Sequence, residues 1–156
     1  RRLVGSEMCI RDRLHETLEF LTKVKGQSLS ENKILLLKKG LYCLKDRVKT
    51  LSELIEKASF ILQNRPIQIS SDARLSLDEA GLSMLRALTP HLQNATWTRE
   101  ELEQICSNIA ESFGVKFGKL ASPIRSALSG QTKTPSVFDM MLVLGRNETI
   151  ARLTNV

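Results

Sequence analysis

From Leu14 onward, apolar residues recur three and four positions apart, and the runs are separated by Gly, Pro or polar pairs. That spacing lines one face of a helix. Leu14, Leu18 and Leu21 share a face that ends at Gly26. Ser30 predicts an N-cap for a helix through Ile34, Leu35, Leu37, Leu41 and Leu44, reaching about Lys45. Thr50-Leu51-Ser52-Glu53 has capping-box order and precedes a stripe of Leu51, Leu54, Ile55, Ala58 and Leu62. Asn64-Arg65-Pro66 stops that helix, because proline disfavours a helical residue before it. Ser76-Leu77-Asp78-Glu79 predicts a second box, for a helix through Leu82, Leu85 and Leu88 that is disturbed at Thr89-Pro90. Thr98-Arg99-Glu100-Glu101 predicts a third, leading into Leu102, Ile105, Ile109 and Phe113, with Gly114 as the C′ residue.

Further on, a segment around Ile124 to Leu128 ends at Gly130. Thr134-Pro135 sets a cap residue before a proline at the first helical position, where a missing N–H costs nothing. That helix runs through Phe138, Met141 and Leu144 to Gly145, and Asn147 caps a last short one. No stretch alternates with period two over more than a few residues. The expectation is an all-α chain. Ile67 to Asp72 is a non-periodic connector, which divides residues 14–66 from residues 67–156 as two consecutive helical subdomains.

The first thirteen residues, Arg1-Arg2-Leu3-Val4-Gly5-Ser6-Glu7-Met8-Cys9-Ile10-Arg11-Asp12-Arg13, lack an initiator Met and sustain neither period. They resemble translated sequencing-adapter sequence fused to a truncated reading frame, and are expected to be foreign to the fold. The other reading is a basic arm that grips phosphate. The tail holds four Arg against Glu7 and Asp12, so it supplies +2 of the net +6 and leaves +4 to the body.

Length and composition fit one ordinary domain or two small helical halves. The chain has 156 residues, 42% hydrophobic and 26% charged, enough for a packed core. No apolar run approaches the roughly 18–20 residues that cross a bilayer, so no membrane partner is expected. Cys9, Cys43 and Cys106 have no metal-like spacing, and their odd number argues against a disulfide framework. A reduced, cytoplasmic protein without a metal is the expectation.

Charge is uneven. Leu14 to Pro66 carries ten Lys/Arg and six Asp/Glu; Ile67 to Glu111 carries three and seven; Ser112 to Val156 carries six and two. An acidic stretch thus separates two basic ones. If the basic blocks face one side they form a strip suited to a polyanion; otherwise each is a solvated helix surface, as Lys38 and Lys39 suggest.

Catalytic signatures are missing. His15 and His91 lie far apart, with no local nucleophile signature around them. Neither a Walker-type loop nor a dinucleotide fingerprint is present. Glu100-Glu101 is explained by a helix N-terminus, where the macrodipole favours carboxylates. Aromatics make only 4% of the chain, too few for a multi-base platform, and Phe60 and Phe113 fall on apolar stripes that point to the core.

The end of the chain holds the most specific pattern. Val115-Lys116-Phe117-Gly118-Lys119-Leu120 precedes Pro123-Ile124-Arg125-Ser126-Ala127-Leu128-Ser129-Gly130. Thr134-Pro135-Ser136-Val137-Phe138 and Leu142-Val143-Leu144-Gly145-Arg146 follow. This order resembles the C-terminal, α-helical anticodon-binding portion of bacterial glutamate–tRNA ligases, class I aminoacyl-tRNA synthetases. That family shows a Lys-x-Gly-Lys element, a Pro-Leu-Arg-x-Ala-Leu-x-Gly helix, a Thr/Ser-Pro step and a Leu-Leu-Gly-Lys/Arg-Glu close. Leu44-Lys45-Asp46-Arg47-Val48-Lys49-Thr50-Leu51 is similar to its Leu-Lys-x-Arg-x-Lys-Thr-Leu segment. The likeness spans Leu44 to Leu153 in order; Ile124 stands for the usual Leu, Ser129 for Thr, and Asn147 intervenes before Glu148.

The resemblance implies a cage of helices that recognises the anticodon arm of tRNA-Glu in a ligase that joins glutamate to tRNA. ATP and Mg²⁺ would serve the full-length enzyme and no cofactor this chain, which lacks the His-Ile-Gly-His-like and Lys-Met-Ser-Lys-Ser-like motifs and is expected to be inactive alone. By the same resemblance Thr134, Pro135, Ser136, Val137 and Phe138 lie at the anticodon, and Arg47 and Arg125 probe bases. An arginine can stack on a base or bind its edge bidentately; the other reading is a surface position or a helix–helix ion pair for Arg125, and a contact with the helix C-terminal dipole for Arg47. Lys49, Lys116 and Lys119 would hold phosphates, or be solvated. Two other classes remain: a helical DNA-binding regulator, needing a recognition helix of polar base-reading side chains, and a protein-interaction adaptor, needing an exposed apolar patch beside the acidic block. No DNA partner is expected, because neither class explains the ordered motifs after Gly114.

Overall fold

A computed structural model describes residues 15, 16, 19, 31–44 and 57–156, with the backbone alone at residues 32 and 41–44. Among the described residues there are eight helices and no strand. They are α1 (Glu31–Leu44), α2 (Ser59–Leu62), α3 (Ser71–Arg74), α4 (Glu79–Gln93), α5 (Arg99–Ser112), α6 (Phe117–Ser129), α7 (Val137–Leu144) and α8 (Arg146–Thr154). The chain divides into two units, Arg1–Leu62 and Gln63–Val156. The thirteen-residue tail, the Leu14-Leu18-Leu21 face and the Thr50 box lie outside the described residues.

In the first unit α1 packs on α2, burying Leu37, Ala58, Phe60 and Ile61. Leu35, expected on the buried stripe, points to solvent. Lys33 donates to the carbonyl of Ile61, giving a partner to an acceptor near the end of α2. At Gly40 the helices touch: a Cβ there would lie 2.5 Å from Cδ1 of Ile61.

In the second unit α4 and α6 are central. α4 packs against α5, α6 and α8, and α6 also meets α3, α5, α7 and α8. Leu85, Leu88, Leu92, Leu102, Leu120, Ile124, Leu128, Met140, Met141 and Leu153 form the core. These are the i, i+3, i+4 positions of the helical pattern, so burial follows the sequence period.

Helix starts depart from the expected ones in an orderly way. α4 is capped by Asp78, whose side chain accepts from the Gly81 N–H (2.8 Å), and not by Ser76. The Ser76 hydroxyl meets Ser126 Oγ (2.7 Å) and donates to the Ala73 carbonyl (2.8 Å), so a tertiary contact outbids the local one. Thr98 caps α5 as expected, but Glu101 reaches back to the N–H of Thr96 (2.8 Å) instead of its own cap residue. α7 starts at Val137 with Ser136 as its cap, two residues beyond Thr134, and Pro135 lies before the helix. Gly145, not Asn147, caps α8 and is the sole residue between α7 and α8.

Neither internal proline breaks its helix. α4 continues through Pro90, and α6 begins at Phe117 and runs through Pro123. Helix ends follow the glycines more faithfully. After α5 the Gly114 N–H bonds the Glu111 carbonyl (2.9 Å) and the Val115 N–H that of Ala110 (3.0 Å), with φ +68° at Gly114. That is a Schellman closure. Phe113, expected in the core, sits at this closure and is exposed.

Candidate nucleic-acid interface

The charge segregation comes largely from helix starts. Five of the seven acids between Ile67 and Glu111 cap or enter first turns: Asp72 in α3, Asp78 and Glu79 at α4, and Glu100 and Glu101 in α5. There the unsatisfied N–H groups favour carboxylates. Most of the acidic block is therefore accounted for by local structure.

The six cations after Ser112 split into two kinds. Arg152 is 2% exposed and donates to the carbonyls of Leu128 (2.6 Å) and Gln63 (2.9 Å) and to Glu148 Oε2 (2.8 Å). Burial pulls its pKa below the usual guanidinium value, against the hydrogen bond and charge of Glu148. Arg146 donates to the Ala95 carbonyl and lies over the Trp97 ring, 5.7 Å from its centre. These two hold the fold. Lys116, Lys119 and Lys133 are exposed and Arg125 is half-buried. Among the described residues none of the four has a carboxylate within 4.0 Å.

Two residues expected at the site from sequence meet directly. Arg125 Nε donates to Thr134 Oγ1 (2.9 Å), and the Thr134 hydroxyl donates in turn to the Pro135 carbonyl (2.8 Å). Thr134 was expected to cap the next helix; the guanidinium takes its oxygen instead, and Ser136 accepts from the Phe138 N–H (3.3 Å) in its place. Pro135, Val137 and Phe138 are buried, so they shape the corner from beneath while Arg125 and Ser136 are part-exposed above it. Lys116 stands at the N-cap of α6, where it makes no side-chain cap. Arg47 and Lys49 lie outside the described residues.

Lys119 and Arg125 line one groove of about 450 Å³, together with Ser122, Ser126 and Thr132. Asp72, Asp78, Gly81 and Leu75 line it as well, the last 78% exposed. Cations, hydroxyls and carboxylates thus share a pocket large enough for a base. Sequence reasoning missed Thr132, Lys133 and Leu75, since a loop or connector position has no periodicity to mark it.

Burial pushes the Cys106 thiol up to about 12, so it stays protonated. Among the described residues no group of three or more His, Cys, Asp or Glu could hold a metal, and no helix is long and apolar enough to cross a membrane.

Comparison with known proteins agrees with this architecture. A family model described as an anticodon binding domain matches residues 11–156. Glutamate–tRNA ligase 2 of Ruegeria pomeroyi is 50% identical over 139 residues, covering 89% of this chain and 30% of that protein. Glutamate–tRNA ligase 1 of Jannaschia sp. is 54% identical over 117 residues, 75% of this chain and 25% of its own length. The chain thus spans about 30% of the length of the curated relatives it matches. A crystal structure of a glutamate tRNA ligase from Elizabethkingia meningosepticum, in complex with its amino acid, shares the fold with a TM-score of 0.74 at 23% identity. The alignment covers 94% of this chain and 28% of that one. With a family model covering nearly the whole helical body, this chain belongs to the anticodon binding domain family.

Proposed function

We propose that this chain recognises the anticodon arm of tRNA-Glu, as the anticodon-binding part of a cytoplasmic glutamate–tRNA ligase. In the full-length enzyme, glutamate would be joined to tRNA with ATP and Mg²⁺. The residues here do not fit those two: the ATP-site motifs are absent from the sequence, and the described residues offer no convergent acidic cluster. No catalytic step is assigned to this chain. The regulator and adaptor readings find no support in the family match.

The observation that carries the proposal is the Arg125–Thr134 hydrogen bond beside uncompensated lysines. Sequence-specific RNA recognition reads unpaired bases, with phosphate contacts setting the strand. Arg125 spends Nε on Thr134 and keeps its other N–H groups for a base edge. Because the guanidinium is already oriented, little rotamer freedom is lost on binding. Buried Pro135, Val137 and Phe138 fix the corner that presents Thr134 and Ser136, while Lys116 and Lys119 hold phosphates; Arg47 and Lys49 keep the roles the family resemblance implies, a base contact and a phosphate contact.

A filter-binding titration of the whole chain tests this. Binding to the anticodon arm of tRNA-Glu is expected to exceed that to an unrelated arm and to weaken steeply with salt. Arg125→Ala should cost the cognate arm about 1–3 kcal/mol, and a scrambled loop much less. Equal losses on both would reduce Arg125 to a phosphate contact, and no preference in the parent chain would defeat the proposal.

A further inference from the structure

Phe138 belongs to the corner just described, yet its ring is only 8% exposed. It therefore has almost no free face to offer. Two groups cover it. The ring of Phe117 stacks on it, with centroids 5.3 Å apart and planes 13° from parallel. The guanidinium of Arg99 lies over the same ring, 5.7 Å from its centre. Arg99 is itself held, by Asp139 Oδ1 at 2.5 Å and Glu103 Oε1 at 3.0 Å. Burial works against its charge, but these two carboxylates keep its pKa above the ordinary value.

Phe117 differs from Phe138 in one respect: it is 39% exposed. It is the first residue of α6, with Lys116 immediately before it and Lys119 two positions on, both exposed and neither facing a carboxylate among the described residues. An aromatic ring left partly in water forgoes the favourable transfer that full burial would bring. Here it is held parallel to a second ring in the geometry that a further π layer can extend. The flanking ammonium groups would bring the phosphates of a single strand to its edge. Cations alone would suit any polyanion; the part-exposed, stacked ring between them favours one that also carries flat bases.

We propose that Phe117 is a stacking platform for one unpaired base of the bound RNA, with Phe138 and Arg99 as the fixed support beneath it. This rests on the anticodon-arm reading. Phe138 then acts through Phe117, as a positioning residue. Base–aromatic stacking tolerates any base, so the contact adds affinity for an open loop without choosing its sequence.

The test compares the tRNA-Glu anticodon stem–loop with a closed duplex of the same stem, titrated against the whole chain. Phe117→Leu keeps an apolar cover over Phe138 and removes the π face. It is expected to weaken stem–loop binding on the order of tenfold while leaving the duplex within about twofold, and Phe117→Tyr to restore the parent affinity. Equal stem–loop affinity in parent and Phe117→Leu would overturn the proposal, as would an equal loss on stem–loop and duplex. A second reading does not depend on tolerating leucine. Phe117→Trp should show emission quenched by the stem–loop beyond any change in the parent, whose tryptophan is Trp97, and an unquenched signal at saturation would also overturn it. If the parent itself binds stem–loop no better than duplex, the RNA-binding reading falls with it; if only the variants fail to differ, that reading stands and Phe117 drops out.

Discussion

At Gly130 two requirements coincide, and only one is visible in the chain. Its φ of +75° at the end of α6 belongs to the left-handed region, which a helix terminus followed by a break already suggests. The second is space: a Cβ would lie 1.9 Å from the Gln68 carbonyl oxygen, and the Gly130 carbonyl accepts from the Ser70 N–H (2.8 Å). Gly130→Ala should therefore lose more than the 1–2 kcal/mol or so of a left-handed alanine alone. Gly118, inside the same helix with nothing within 4 Å of its Cβ position, offers the contrast. Gly118→Ala should be neutral or stabilising by up to about 1 kcal/mol. Urea midpoints of the two variants check both signs. Thr134 shows the same division: its motif is legible locally, but its hydroxyl goes to an arginine nine residues upstream.

Among the helices, ends and prolines tell different stories. The boundaries marked by Gly114, Gly130 and Gly145 fell where the sequence puts them, each glycine having the positive φ that the residue accepts readily. N-caps shifted by two residues wherever more than one oxygen competed. Asp78 over Ser76 and Ser136 over Thr134 were decided by which hydroxyl a distant partner claimed. The sequence predicts a disturbance at Thr89-Pro90, yet α4 passes through it. Pro90 and Arg86, the residue whose carbonyl loses its donor, are both exposed, so the gap falls on the exposed side of α4. One residue earlier, buried Thr89 donates its hydroxyl to the Leu85 carbonyl (2.8 Å). Pro90→Ala should accordingly raise stability by about 1 kcal/mol or more, read as a higher denaturant midpoint with unchanged slope. Pro123 is buried in the core of α6, and the same substitution there would leave a void instead.

The second unit as a whole is tied by Arg152. Its guanidinium joins the end of α6, the segment after α2 and α8, while Arg65 adds a bond to the same Glu148 (3.3 Å). Replacing it with Ala would take a donor from two carbonyls and leave Glu148 to Arg65, a loss of about 2–5 kcal/mol. Against a stability of about 5–15 kcal/mol for a domain, that is a large share. Arg152→Met, close in volume, should recover little of it; a thermal midpoint near the parent's would mean the side chain matters for packing alone. Nothing in the order of residues separates Arg152 from Arg125, since both lie on helices in the same basic block. One is buried among carbonyls and the other faces a groove, and only the packing of α6 against its neighbours makes that distinction.

By itself the sequence determined the helical class, the periodic core, the glycine-marked ends and the family motifs, all of which depend on residue type and on spacing within a few turns. Tertiary structure alone decided which oxygen caps each helix, which cations are consumed as struts, and that of the stacked rings Phe117 is the exposed one and Phe138 the buried one. The reason is physical: those outcomes are contests between groups far apart in the chain, and desolvation, which settles them, exists only once the helices have packed.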